Sequence, residues 1–267
     1  MEGGIHMNAV KIQILIIVTA LLLWACGEES SPPQRKASPP SAEDQPTDDG
    51  EGTDETTKDG SDPEQTLQDS RTVILGDSVW ALSGDLQKFL ELHTKRKMRS
   101  YAVNGARITG TSKSSIPNQY KNAKAEGPIK TILMDGGGND LLVAGLDKCA
   151  PFTPACQEVI DDVEATALKL LADAADNDIS HVVYLGYYKP TGFASILGEA
   201  SVKGNQMIQS RCESETSITC IFVDPVDAFS GQAGLILSDG IHPTKEGSKV
   251  LASLIWEAIQ KHEVPLD

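Results

Sequence analysis

The chain lacks the surplus of basic residues that tracks a phosphate backbone. Lys and Arg number 23 against 38 Asp and Glu, for a net charge of −15. Nucleic acid is therefore excluded as an expected partner. The chain also lacks the CxxC spacing of a zinc site: its five cysteines contain no such pair. No metal or organic cofactor is implied. No internal repeat is visible. The N-terminal apolar run, Ile14 to Ala25, has only 12 residues, whereas a membrane-spanning helix needs about 20.

That short run has another reading. Lys11 precedes it, and the order of charge, apolar core and small residue is that of a signal peptide. It ends Leu22-Leu23-Trp24-Ala25-Cys26-Gly27, which resembles a bacterial lipobox. Leucine stands at −3 and a small residue at −1, while Trp24 at −2 is bulkier than usual. The resemblance implies that residues 1–26 are a signal peptide with lipobox, cleaved before Cys26, and that Cys26 is lipidated. The expected location is the bacterial cell envelope, facing periplasm or exterior, with the membrane reached through a lipid anchor.

The remaining cysteines agree with export. Cys149, Cys156, Cys212 and Cys220 form two pairs close in sequence. Three connectivities are open to four cysteines. The local one, Cys149–Cys156 with Cys212–Cys220, needs no long-range geometry, and an oxidising compartment favours disulfides over free thiols.

Residues 27–70 carry 13 acidic and 3 basic side chains and one strongly apolar residue, Leu67. Such a composition cannot bury enough surface to offset its ordering entropy. It reads as a disordered acidic linker with an r.m.s. span of about 35–40 Å.

From Arg71 the character changes, and residues 71–267 read as the folded domain. Apolar patterning predicts strands at Thr72–Leu75, Met98–Val103, Lys130–Met134, His181–Leu185 and Ile218–Val223. Helical spacing predicts helices over Trp80–Thr94, Gln119–Lys124, Gln157–Ala175, Ile196–Ser210 and Thr244–Lys261. This alternation argues a parallel sheet covered on both faces.

The chemistry gathers where strands end. Thr72–Leu75 runs into Gly76-Asp77-Ser78, which reads as strand, tight turn, helix. A serine there sits at the C-terminal edge of the sheet, where open α/β sheets keep their sites. The following helix would turn N–H groups toward whatever the serine attacks. Of five histidines, only His242 lies among turn residues at that edge, and Asp239 stands three residues before it. In a tight loop that spacing lets the carboxylate bond Nδ1 and leaves Nε2 for the serine.

Four blocks appear in order: Gly76-Asp77-Ser78-Val79, a glycine after the second strand, Gly137-Gly138-Asn139-Asp140, and Asp239-Gly240-Ile241-His242. Together they resemble the SGNH/GDSL hydrolase family over about residues 71–262. The resemblance implies a three-layer α/β/α fold with a five-stranded parallel sheet, flavodoxin-like. It implies Ser78 as nucleophile, His242 as base and Asp239 as its orienter. The oxyanion would meet the N–H groups of Ser78 and Gly105 and the amide of Asn139, with Gly110 the alternative second-block glycine.

The implied activity is a serine esterase acting on a short-chain acyl ester, with an O-acetyl group on a glycan as one candidate. The alternatives are a lysophospholipase or thioesterase of the same fold, or a catalytically silent binding lipoprotein. Tyr187, Tyr188 and Phe193 follow the fourth strand and are expected to flank the site, stacking on a sugar or lining an acyl pocket. The Cys149–Cys156 segment is expected as a clipped loop beside Asn139.

Overall fold

The computed structural model of the chain describes residues 70–266, without the side chains of residues 144–146. The expected signal peptide, Cys26 and the expected linker up to residue 69 lie outside the described residues.

Five parallel strands form one sheet: β1 (Thr72–Leu75), β2 (Arg99–Ser100), β3 (Thr131–Met134), β4 (His181–Leu185) and β5 (Thr219–Val223). Their order is β2-β1-β3-β4-β5, the doubly wound order whose switch point lies between β1 and β3. The strands are apolar on both faces because both faces are covered. Val73, Leu75, Ile132, Met134, Val182 and Tyr184 point into one core. Ile74, Leu133, Val183 and Leu185 point into the other.

The first core is closed by α3 (Ile116–Glu126), α5 (Pro154–Asp176) and α6 (Gly198–Ser214). The second is closed by α2 (Asp85–Thr94) and α8 (Lys245–Lys261), which contribute Leu86, Leu90, Leu251, Ile255 and Ile259. The sheet and its two covering layers are the expected α/β/α arrangement.

Several elements differ from expectation. The helix expected over Trp80–Thr94 is two pieces, α1 (Ser78–Ala81) and α2. The break falls at Gly84, which adopts φ +66° and caps α2. Strand β2 is only two residues long. Its continuation still runs beside β1, with Tyr101 N–H donating to Ile74 O (2.9 Å) and Val103 N–H to Gly76 O (3.1 Å).

Helix α5 starts three residues before the expected Gln157, because Thr153 caps it and Pro154 opens it. Helix α6 is preceded by a 3-10 turn, Gly192–Leu197. Two helices were not anticipated: α4 (Gly138–Cys149) and the short α7 (Val226–Phe229). Asp140 in its first turn and Lys148 in its last suit the helix dipole of α4.

Both local disulfides are present, Cys149–Cys156 and Cys212–Cys220. The first does not clip a loop at the rim of the site. Cys149 ends α4 and Cys156 lies in the first turn of α5, so the bridge staples a helix corner. Both residues are fully buried. The second ties α6 to β5.

Candidate active site

The switch point places Ser78 directly after β1 and Asn139 directly after β3. Ser78 is the first residue of α1, held by Asp77, which caps that helix by accepting from Val79 N–H (2.9 Å). Because α1 has only four residues, the long dipole expected behind the serine is absent. What the turn provides is placement: the N–H of Ser78 opens the helix and has no intrahelical partner.

The turn is tight for a steric reason. A Cβ on Gly76 would overlap a carboxylate oxygen of Asp135 and come within 2.7 Å of the Trp80 ring. The Gly76 peptide is gripped by Gln119 of α3. Its N–H donates to Gln119 Oε1 (2.8 Å), and Gln119 Nε2 donates to its carbonyl (2.9 Å).

His242 arrives from the loop before α8. Ser78 Oγ and His242 Nε2 are 2.9 Å apart, and His242 Nδ1 and Asp239 Oδ2 are 2.7 Å apart. The other oxygen of Asp239 accepts from the N–H groups of Ile241 (2.8 Å) and His242 (3.0 Å). One carboxylate thus shapes the turn and aims the ring.

Gly240 completes the loop at φ +76°, where a Cβ would overlap the Thr191 carbonyl. Burial works to raise the pKa of Asp239. The hydrogen bonds from the His242 ring and from the His242 and Ile241 N–H groups outweigh it and hold the carboxyl at about 2. Asp239 is therefore ionised across the neutral range. His242 is buried, and its Nδ1 carries the proton that faces Asp239.

Asn139 lies in the first turn of α4 behind Gly137, which caps the helix at φ +102°. Its amide nitrogen donates to Asp77 Oδ2 (3.2 Å) and to Ala106 O (3.0 Å). Both amide hydrogens thus have partners, and Asn139 gives one to a substrate only by exchanging a bond. Gly105 sits at φ +72° in the turn next to Ala106, with nothing within 4 Å of a built Cβ. Gly110 needs no left-handed backbone and lies further along the loop. Asp140 pins that loop to α4: it accepts from Ile108 N–H (2.9 Å), Thr109 N–H (3.0 Å) and the Thr109 hydroxyl.

Sequence reasoning missed the layer beneath these residues. Asp77 and Asp135 are both buried, and Asp77 N–H donates to Asp135 Oδ1 (2.8 Å). Tyr187 O–H donates to Asp77 Oδ2 (2.8 Å). Burial raises both carboxyls. For Asp77 the hydrogen bonds from the Val79 N–H and the Tyr187 hydroxyl pull the other way, while for Asp135 the charge of Asp77 adds to burial. Of the two, Asp135 is raised further. The available signal was an acidic residue, Asp135, directly after the buried strand Thr131–Met134.

The aromatic segment after β4 divides. Tyr187 walls the site. Tyr188 is packed away, its ring 4.1 Å from that of Phe229 and its hydroxyl donating to Ile241 O (2.6 Å), so it offers no face to a sugar. Phe193 is 40% exposed.

No family model matches the sequence, and no curated protein matches it. Solved structures do match. A lipase from a goat rumen metagenome is 15% identical, covering 70% of this chain and 96% of that one, with a TM-score of 0.55. An acetylxylan esterase from Geobacillus stearothermophilus is 15% identical over 72% of this chain and 94% of that one, with a TM-score of 0.54. A protein from Slackia heliotrinireducens described as an SGNH hydrolase is 16% identical over 71% and 98%, with a TM-score of 0.50. With a five-stranded sheet in the order β2-β1-β3-β4-β5 and helices on both faces, the chain has the three-layer fold of the SGNH/GDSL hydrolases.

Proposed function

We propose that the protein is a serine ester hydrolase acting on short-chain acyl esters outside the cytoplasm, tethered to a membrane through Cys26. One observation carries the chemistry: the continuous relay Ser78 Oγ, His242 Nε2, His242 Nδ1, Asp239 Oδ2, with gaps of 2.9 and 2.7 Å. Neighbours in fold that are named as a lipase and an acetylxylan esterase support it. The location is supported by the lipobox-like sequence at Cys26 and by two disulfides.

In this reading the Ser78 hydroxyl passes its proton to His242 Nε2 as Oγ bonds to the ester carbonyl carbon. The imidazolium is stabilised by ionised Asp239. The carbonyl oxygen, now an oxyanion, takes hydrogen bonds from the N–H groups of Ser78 and Gly105 and from the Asn139 amide as it releases one of its present acceptors. Collapse breaks the bond to the alkoxy oxygen, which leaves with the proton from His242. Water, deprotonated by the same ring, then frees the carboxylic acid and restores the Ser78 hydroxyl.

The test is covalent labelling. A fluorophosphonate probe labels the wild-type protein at Ser78 and leaves Ser78→Ala unlabelled. Labelling that survives in the alanine variant overturns the assignment.

A further inference from the structure

We infer that the acyl half of the ester enters an apolar slot beside Ser78, and that the preferred acyl group has about four carbons rather than two. This rests on the esterase reading and names the substrate class of that same site. The slot opens at Ser78 and Asn139 and runs inward between α4, α5, α6 and the 3-10 turn, with a volume of about 90 Å³. Its walls include Leu142, Ile160, Leu197, Met207 and Phe222.

Of the polar side chains on the wall, most are already satisfied. Asn205 accepts from Tyr187 N–H (3.0 Å) and donates to Tyr187 O (2.7 Å), Tyr184 O–H donates to Gly136 O (3.0 Å), and Tyr187 O–H donates to Asp77. Besides Ser78 and Asn139, the half-buried Ser201 hydroxyl is left on the wall. A sugar hydroxyl placed there would give up its hydrogen bonds to water with almost nothing in return, whereas a hydrocarbon gains by leaving water.

The slot also lies on the acyl side of the reaction. The leaving alcohol must face His242, which returns its proton. Neither His242 nor Asp239 lines the slot, while Ser78 and Asn139 do. Its size limits the chain. A dry engineered cavity of about 150 Å³ takes one benzene ring, so by proportion 90 Å³ takes about four carbons. Acetyl leaves most of the slot empty, and an octanoyl chain overruns it.

The experiment measures kcat/KM of the purified full-length protein on p-nitrophenyl esters of two, four, six, eight and twelve acyl carbons. The expected maximum is at four carbons, on the order of tenfold above acetate since each buried methylene is worth about fourfold, with a decline beyond six. Two variants change the slot in opposite directions. Gly204 of α6 lines it, and a Cβ built there meets nothing within 4 Å. Gly204→Leu fills the space and moves the maximum from butyrate toward acetate. Leu197→Ala widens it and moves the maximum toward longer chains.

A wild-type optimum at acetate, an optimum at eight carbons or more, or a chain-length profile unchanged in both variants overturns the inference while leaving the esterase reading intact. Failure to cleave any ester, with Ser78 unlabelled by a fluorophosphonate, overturns both.

Discussion

Asp135 holds a carboxyl group where a charge has no water. It is fully buried, one oxygen accepts from Asp77 N–H, and the other has no partner among the described residues. Burial, with the neighbouring charge of Asp77, holds its pKa well above the usual carboxylate range. In the unfolded chain it ionises near the ordinary value of about 3.9. The folded state therefore keeps a proton that the unfolded state releases. Stability from this group is fully present below about pH 4 and is lost as pH rises toward the folded value. Asp77, also raised by burial, acts in the same direction. Asp135→Asn keeps the oxygen that accepts from Asp77 N–H and removes the titration. The expected outcome is that wild type loses stability relative to Asp135→Asn between pH 4 and pH 8 in urea unfolding. Parallel curves across that range would show that Asp135 does not hold its proton.

At the scale of elements, α4 links the site to the Cys149–Cys156 bridge, and its length separates them. Asn139 is in the first turn and Cys149 is ten residues on, about 15 Å at 1.5 Å per residue. The bridge therefore fixes the corner between α4 and α5 rather than the amide. Closing so short a loop is worth about 2.5 kcal/mol in the chain-entropy account. Replacing both cysteines by serine is expected to lower unfolding free energy by about that amount and to leave kcat within about twofold. A large fall in kcat with unchanged stability would mean instead that the bridge positions Asn139. The same helix shows where sequence reading succeeds and stops. His181–Leu185 is legible to the residue because four consecutive apolar or aromatic residues, Val182 to Leu185, fit a buried strand. Ser78, Asp239 and His242 are legible because each sits in a turn that adjoins an apolar element, Gly76-Asp77-Ser78 after Thr72–Leu75 and Asp239 to His242 before the last helix. Helix α4 is hidden because Gly136, Gly137 and Gly138 read as loop, although Gly137 is there to start a helix. The carboxyl pair and the Gln119 grip on Gly76 are hidden for another reason: their partners lie 58 and 43 residues apart. Local pattern carries no such distance.

Over the whole molecule, charge is divided along the chain. Residues 27–70 carry a net −10, against −5 for residues 71–267. On the lipoprotein reading, these acidic residues lie in sequence between the lipid on Cys26 and the folded domain. Anchoring and catalysis should then be separable. A single acyl chain binds a membrane only marginally, whereas two or more hold it stably, so a fully lipidated Cys26 should keep the protein in the membrane fraction through washing. Cys26→Ser is expected either to release the protein or to leave the leader uncleaved. In the released form, kcat/KM on a soluble p-nitrophenyl ester should match wild type, because nothing in the relay of Ser78, His242 and Asp239 depends on the anchor. Detergent phase partitioning with mass spectrometry of the N-terminal peptide reads the first part, and the ester assay reads the second. Wild-type protein that partitions as soluble with an unmodified N-terminus would remove the anchor from the account. A released variant that loses ester turnover while its thermal unfolding is unchanged would show that the lipid acts on the site, and the tether would then have to be more than a spacer.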